Sequence, residues 1–430
     1  MAASHSVTPG RWSAMLDELM ARIAGRFARV EPRRRAAAFV AGLLSELPRK
    51  NCWTLAEHAG DLTPDGMQHL LARARWDADA VRDDIRDYVV EQLGEADVVL
   101  VIDETGDLKK GNATVAVQRQ YTGTAGRIEN SQVGVFLTYV TAAGHALIDR
   151  ELYLPESWSG DQVRRERAKV PAERRFATKP ELAAQMIGRA LATGIRGWVT
   201  GDEVYGSSTP LRTVLETGQV SYAMAVASNH RITTAAGTRR ADEIAARLPK
   251  TAWQRLSVGA GAKGQRYYDW ALITIASEQP GRRWLLIRRH HRTGELAFYR
   301  CYAPGPVPLP VLVKVAGTRW RIEESFQTGN GLTGLDQHQV RTWTSWYRWT
   351  TLVLLAHAFL AAVTARERSD HNAQPDLVPM TLPEAQRLFT RLTSGPIRSI
   401  AFVLHWSRWR RRHQARARAS HYHRQAALQS

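Results

Sequence analysis

The stretch from Asp97 to Gly111, Asp-Val-Val-Leu-Val-Ile-Asp-Glu-Thr-Gly-Asp-Leu-Lys-Lys-Gly, constrains the fold more than any other. Val98 to Ile102 is an unbroken apolar run, too short for a helix and without alternation, so it reads as a strand covered on both faces. The run stops at Asp103, beside a Gly-containing turn that leaves room for a ligand. A carboxylate there is either a catalytic group held rigidly at a strand end or the cap of a turn. This stretch alone favours neither.

Before it, residues 11–94 read as helices. Arg34 to Leu47 is rich in Ala and Leu, and Asp77 to Leu93 leads into the strand. Between them, Thr54 to Gly60 and Asp65 to Arg75 give a short helix, a break and a second amphipathic helix. That pair resembles a helix-turn-helix whose second member would enter a major groove, although any small helical bundle contains such a pair.

After Asp103, Ala113 to Tyr121 and Gln132 to Thr141 are strand-like and complete an antiparallel meander. Asp161 to Lys179 is a charged loop with Arg164, Arg165, Arg167, Arg174 and Arg175, suited to a solvated face or to phosphate contacts. A helix over Glu181 to Thr193 precedes a fourth strand, Ile195 to Thr200, which ends in Gly201-Asp202. A second apolar strand thus delivers an aspartate beside a glycine. A helix over Thr209 to Thr217 and a fifth strand over Val220 to Ala227 follow.

Three antiparallel strands, then helix, strand, helix, strand, is the order of the ribonuclease H-like α/β fold with a mixed sheet. From residue 230 the pattern turns to short β pieces, Tyr267 to Ser277, Arg283 to His290 and Leu296 to Tyr302. Helical patterning returns at Thr318 and runs through Trp343, Trp346, Tyr347 and Trp349 to about Arg366. The expected organisation is a helical N-terminal domain at 1–95, with DNA binding as one role, and a catalytic domain split between 96–229 and 313–366. A β-rich insertion fills 230–312, and 367–430 is a linker with a basic C-terminal helix. Between residues 398 and 424 that tail carries eight arginines, with Trp406 and Trp409 beside them.

Lys and Arg number 59 against 41 Asp and Glu, a formal charge of +18, which points to a polyanionic partner, nucleic acid before acidic membrane. No basic start followed by an apolar run marks a signal peptide. The longest apolar stretch, Leu352 to Val363, contains His357 and is too short to span a bilayer. A soluble, cytoplasmic protein is expected. Cys52 and Cys301 have no redox or metal-ligand spacing and are read as packing residues.

One carboxylate activates water poorly for attack on a phosphodiester, whereas two metal ions clamp the attacking and leaving oxygens. Hard cations want several carboxylates from separate elements. Asp103 and Asp202 supply two. The third candidate is Glu323, in a helix from Thr318 to Gln327 whose Ile322 and Phe326 share one face. Arg319, four residues earlier, lies on its side of the helix and can hold it or a phosphate. The alternative is an ordinary amphipathic helix with a solvated Arg–Glu pair.

Together these segments make the chain resemble the DDE transposases of bacterial insertion sequences, in the group with a Tyr-x2-Arg-x3-Glu-x6-Lys signature. The resemblance covers roughly residues 30 to 366. It rests on Ile102-Asp103-Glu104-Thr105-Gly106, Gln118 to Gly123, Tyr153-Leu154-Pro155 with Trp158, Thr200-Gly201-Asp202 with Tyr205-Gly206, and Arg319 to Glu324. It implies Asp103, Asp202 and Glu323 as catalytic residues and metal ligands, for Mg2+ or Mn2+ and a pair of ions. It further implies cleavage at transposon ends followed by strand transfer, with transposon-end and target DNA as partners, a homodimer on DNA and no membrane. Arg319, Asn330, Lys109 and Lys110 are the candidate DNA contacts. In some relatives the excised end passes through a hairpin with a flipped base. Two positions depart from the signature: Ala316 stands for its tyrosine and Asn330 for its lysine. Asn330 can hydrogen-bond a phosphate but brings no charge, so a degenerate relative that binds DNA without cutting it is the second reading.

Overall fold

The computed structural model describes residues 9–261, 264–370 and 379–393, with residues 409 and 416. Apart from those last two, the basic tail over 398–424 lies outside the described residues.

The N-terminal region is built from α1 (Pro9–Arg22), α2 (Val30–Leu44), α3 (Cys52–Ala59), α4 (Asp65–Ala72) and α5 (Ala78–Leu93). Asn51 caps α3 by accepting from the Trp53 and Thr54 amides, and Gly60, at φ 88°, ends it. Met67, Leu70 and Leu71 bury one side of α4. Gln68, His69, Ala72 and Arg73 stay exposed, so the second helix of the pair keeps a free polar side.

Next come β1 (Val99–Leu108), β2 (Gln118–Thr122), β3 (Arg127–Val140), β4 (His145–Leu152), α6 (Glu156–Ser159), α7 (Gln162–Arg167) and α8 (Lys179–Ala192). They are followed by β5 (Trp198–Gly201), α9 (Glu203–Gly206), α10 (Thr209–Thr217) and β6 (Tyr222–Val226). In the sheet β4 pairs β3, β3 pairs β1, and β5 and β6 follow on the other side of β1. β3 runs antiparallel to β1 and β4 antiparallel to β3, whereas β5 is parallel to β1 and β6 to β5. That is the ribonuclease H-like arrangement.

Two details differ from the sequence reading. The meander's third core strand is β4, while residues 113–117 form no strand and β2 is a short outer strand paired to the start of β3. β4 was hidden because its charged residues are buried: Arg189 holds Asp149 at 2.9 Å and Glu151 at 2.8 Å, and Arg150 reaches Asp79 at 2.9 Å. Periodicity counts such residues as surface. The second difference is that β1 continues past Asp103 to Leu108, because β3 is long enough to pair with all of it.

β7 (Arg231–Thr234) and β8 (Gly237–Arg240) form a separate hairpin, followed by α11 (Ala241–Ala246). Then β9 (Gln254–Gly261), β10 (Gly264–Thr274), β11 (Arg282–Arg289) and β12 (Leu296–Ala303) run antiparallel, and β12 pairs with β6. The β-rich stretch therefore prolongs the same sheet to ten strands.

The chain recrosses the sheet as α12 (Leu309–Thr318) and α13 (Trp320–Thr328), then forms α14 (Trp343–Asp370) and α15 (Leu382–Thr393). α14 is long and apolar enough to cross a membrane, yet 94% of its apolar window is buried inside the protein. It is the core helix against which α5, α2 and β4 pack. It passes the expected end at Arg366 because its last charges are engaged: Glu367 accepts from the Trp12 indole at 2.7 Å, and Arg368 donates to the Met380 carbonyl. In the charged loop, Arg164 stacks 3.9 Å from the Trp158 ring centroid, and Arg165 donates to the Pro171 and Arg174 carbonyls. Those two arginines brace the loop, whereas Arg167 and Arg175 are exposed.

Candidate active site

The parallel pairing of β1 with β5 ends at Ile102 and Gly201. The next residue on each strand is an aspartate, so Asp103 and Asp202 stand side by side where β5 stops and β1 continues. β3 holds β1 from the other flank, with Asp103 opposite Phe136. Asp103 is only 7% exposed and accepts from the Glu104 amide at 2.8 Å. Asp202 caps α9, accepting from the Val204 amide at 2.9 Å.

α9 is pressed onto β6 through Gly206, where an added Cβ would lie 1.8 Å from the Ala225 carbonyl oxygen. A backbone atom within the sheet cannot yield. Gly206→Ala is therefore expected to displace α9 with its Asp202 cap and to lower the unfolding free energy by about 2 kcal/mol, measured by chemical denaturation.

Electrostatically the site is short of positive charge. Burial first, then the negative charges of Asp202 and Glu104, pushes the Asp103 carboxyl up to about 8. Burial and Glu104 also raise Asp202. The cation beside the pair is Arg319, whose guanidinium comes within 3.5 Å of Asp103. Glu104 lies in the strand and accepts from the Lys179 ammonium at 2.6 Å and the Tyr205 hydroxyl at 2.5 Å. Lys179 was not anticipated from sequence, since it opens a helix remote in the chain. Tyr205 stood in a matched segment, but only the fold shows its fully buried hydroxyl turned on Glu104.

Glu323 sits in the first turn of α13, one helical turn beyond Arg319, which joins α12 to α13. Its half-buried carboxylate makes no hydrogen bond or ion pair with a described residue. Glu324 is committed elsewhere: the His145 ring and the Arg321 guanidinium, 3.4 and 2.6 Å away, bring its carboxyl down to about 2. Thus Asp103, Asp202 and Arg319 are brought together, and Glu323 is left free on the adjoining helix. Among the described residues no three His, Cys, Asp or Glu side chains form a ready metal-binding group. The donor chemistry of the aspartate pair nevertheless fits a hard cation, since two carboxylates at neighbouring strand positions share the single nearby guanidinium of Arg319.

The remaining candidates are spread along the edge. Lys109 is mostly buried, 3.8 Å from Asp107 and 3.5 Å from the His338 carbonyl, and burial lowers its ammonium pKa. Asp107 accepts from the His338 ring at 2.8 Å. Lys110 is exposed and lines a cavity of about 970 Å3 with Arg49 and Arg341, between the N-terminal helices and the loop after α13. Asn330 lies in the turn after α13, with a buried side-chain oxygen that has no hydrogen-bond partner.

Residues 22–266 match the family described as DDE superfamily endonuclease. A curated protein of Microchaete diplosiphon, named "Probable transposase for insertion sequence element IS701", is 31% identical over 193 residues, 44% of this chain and 48% of its own length. The chain thus spans about half the length of that relative. Among solved structures, the piggyBac transposase in a synaptic complex with hairpin DNA aligns over 93% of this chain and 84% of its own, with a TM-score of 0.43 and 12% identity.

Proposed function

Because this chain belongs to the DDE superfamily endonucleases, we propose that it is an insertion-sequence transposase that cuts DNA at transposon ends and transfers the freed strand into target DNA. The observation that supports this reading is the placement of Asp103 and Asp202 side by side where the parallel β1–β5 pairing ends, with Arg319 3.5 Å from Asp103. Asp103, Asp202 and Glu323 would hold Mg2+ or Mn2+, as two ions. When bound, these supply charge stabilisation to the attacking and leaving oxygens.

The chain's own groups do the rest. Arg319, already within reach of Asp103, is placed to hold a phosphate oxygen. Lys179 and the Tyr205 hydroxyl fix Glu104 on the strand beside Asp103. That arrangement keeps the backbone under Asp103 rigid while DNA is positioned. Asn330, Lys109 and Lys110 are proposed contacts to end DNA, with the neutral Asn330 contributing hydrogen bonding alone. The net charge of +18 suits a DNA partner in the bacterial cytoplasm, and holding two ends together calls for a homodimer on DNA.

Ala316 and Asn330, which depart from the signature, favour the second reading, a relative that binds ends without cutting. Incubating the full chain with its element's terminal repeats separates the two. Cleavage that requires Mg2+ or Mn2+ is expected. Binding with no nick in either metal would establish the non-cutting relative.

A further inference from the structure

Behind the catalytic edge lies a cluster of positive groups that the proposed chemistry does not use. Arg300 projects from β12, opposite Met224 of β6, and forms no hydrogen bond or ion pair with a described residue; its Nε is buried without a partner. His230, in the loop after β6, has a buried Nε2 that is likewise unpartnered. Arg212, on α10 and only 7% exposed, donates to the Gly206 carbonyl and the Thr209 hydroxyl but faces no carboxylate partner. Gly206, whose carbonyl Arg212 holds, packs on Met224 and Ala225 of β6, and Arg300 stands directly opposite Met224, so both guanidinium groups lie on the α9 side of the sheet; both also disfavour protonation of His230. Glu216, the nearby acid, is already taken by Arg283, at 2.6 and 3.0 Å, and by the Tyr222 hydroxyl, at 2.7 Å. Next to His230 in the chain, the β7–β8 hairpin exposes Arg231, which forms no ion pair with a described residue.

Unpaired, partly buried guanidinium groups are costly unless an anion completes them. Two such planar, forked donors with an imidazole suit the non-bridging oxygens of a phosphodiester. We propose that Arg300, Arg212 and His230 form a phosphodiester-binding site for the DNA backbone, continued onto the hairpin by Arg231. The site rests on the transposase reading for its ligand. β6 follows β5 in the sheet, and Arg212 grips the end of α9, the helix that Asp202 caps. A backbone held here is therefore anchored next to the cutting edge by groups that take no part in the cut.

The test uses the full chain, with inorganic phosphate and an end-bearing duplex as separate probes. Phosphate is expected to raise the melting temperature of the wild type but not of Arg300→Met. Because Arg300 makes no bond with a described residue, Arg300→Met should melt no lower than wild type without phosphate; a clear loss of stability would show a structural role and overturn the site. On duplex DNA, Arg300→Met should bind about tenfold more weakly and lower the slope of log affinity against log salt by about one, while Arg300→Lys keeps the wild-type slope. The surface variant Arg231→Gln should also reduce the slope. Wild-type slopes in both sets overturn the proposal, and a phosphate response without a change in DNA slope would assign the site to a free anion instead. Cleavage by the same preparations separates the two readings. A wild type that cuts while Arg300→Met binds normally removes the site alone, whereas charge-dependent binding with no cutting removes the transposase reading alone.

Discussion

Asp103→Asn should abolish cleavage of transposon ends, by at least about a thousandfold, while making the metal-free protein more stable. The first effect follows from losing one carboxylate of a pair asked to supply several kcal/mol of charge stabilisation. The second follows from electrostatics. The folded-state pKa of Asp103, about 8, lies above its ordinary value of 3.8. Between those values the unfolded chain has released the proton and the folded chain still binds it, so wild-type stability falls as pH rises from about 4 to about 8. The loss is of the order of a few kcal/mol. Asn carries no proton to lose, so the stability of the variant should fall less across that window, and the two proteins should differ most at pH 8. Melting curves at pH 5 and pH 8 without metal, with Mg2+ added in a parallel series, read this directly. The wild type should gain from Mg2+ and the Asn variant should not. An Asn variant that cuts at the wild-type rate, or melts earlier than wild type at pH 8, would remove Asp103 from the site.

The aspartates were legible because each ends an apolar run beside a turn, a pattern that survives without knowledge of pairing. What the run could not show is that β1 continues: Asp103 sits at an edge only with respect to β5, and strand lengths in a neighbour leave no mark on the strand itself. β4 escaped for the opposite reason, since Asp149, Arg150 and Glu151 look solvent-facing until Arg189 and Asp79 close around them. The supports of Glu104 were equally hidden. Lys179 and Tyr205 lie about 75 and 100 residues away in sequence and meet Glu104 only when α8 and α9 pack beside β1. Local periodicity thus located groups on their elements, and the long-range partners that set their charge balance had to come from the fold.

The adjacent acids of α13 give the sharpest separation of chemistry from scaffolding. Glu323→Gln is expected to cut about a thousandfold more slowly with an unchanged melting temperature, because its carboxylate has no bond to lose among the described residues. Glu324→Gln should cut within a few-fold of wild type but melt up to about 2 °C lower, because it gives up the contacts with His145 and Arg321. The pH signature is specific to Glu324. Its folded pKa, about 2, lies below the ordinary 4.5, so its stabilisation is present above pH 4.5 and is lost as pH falls through 2. Partial exposure of both partners of the Arg321 pair keeps the effect small. Acid titration of folding should therefore show a shallower decline for Glu324→Gln than for wild type. If Glu324→Gln instead loses cleavage while folding normally, the third acid is Glu324, and α13 must turn on binding DNA to break its contacts with Arg321 and His145.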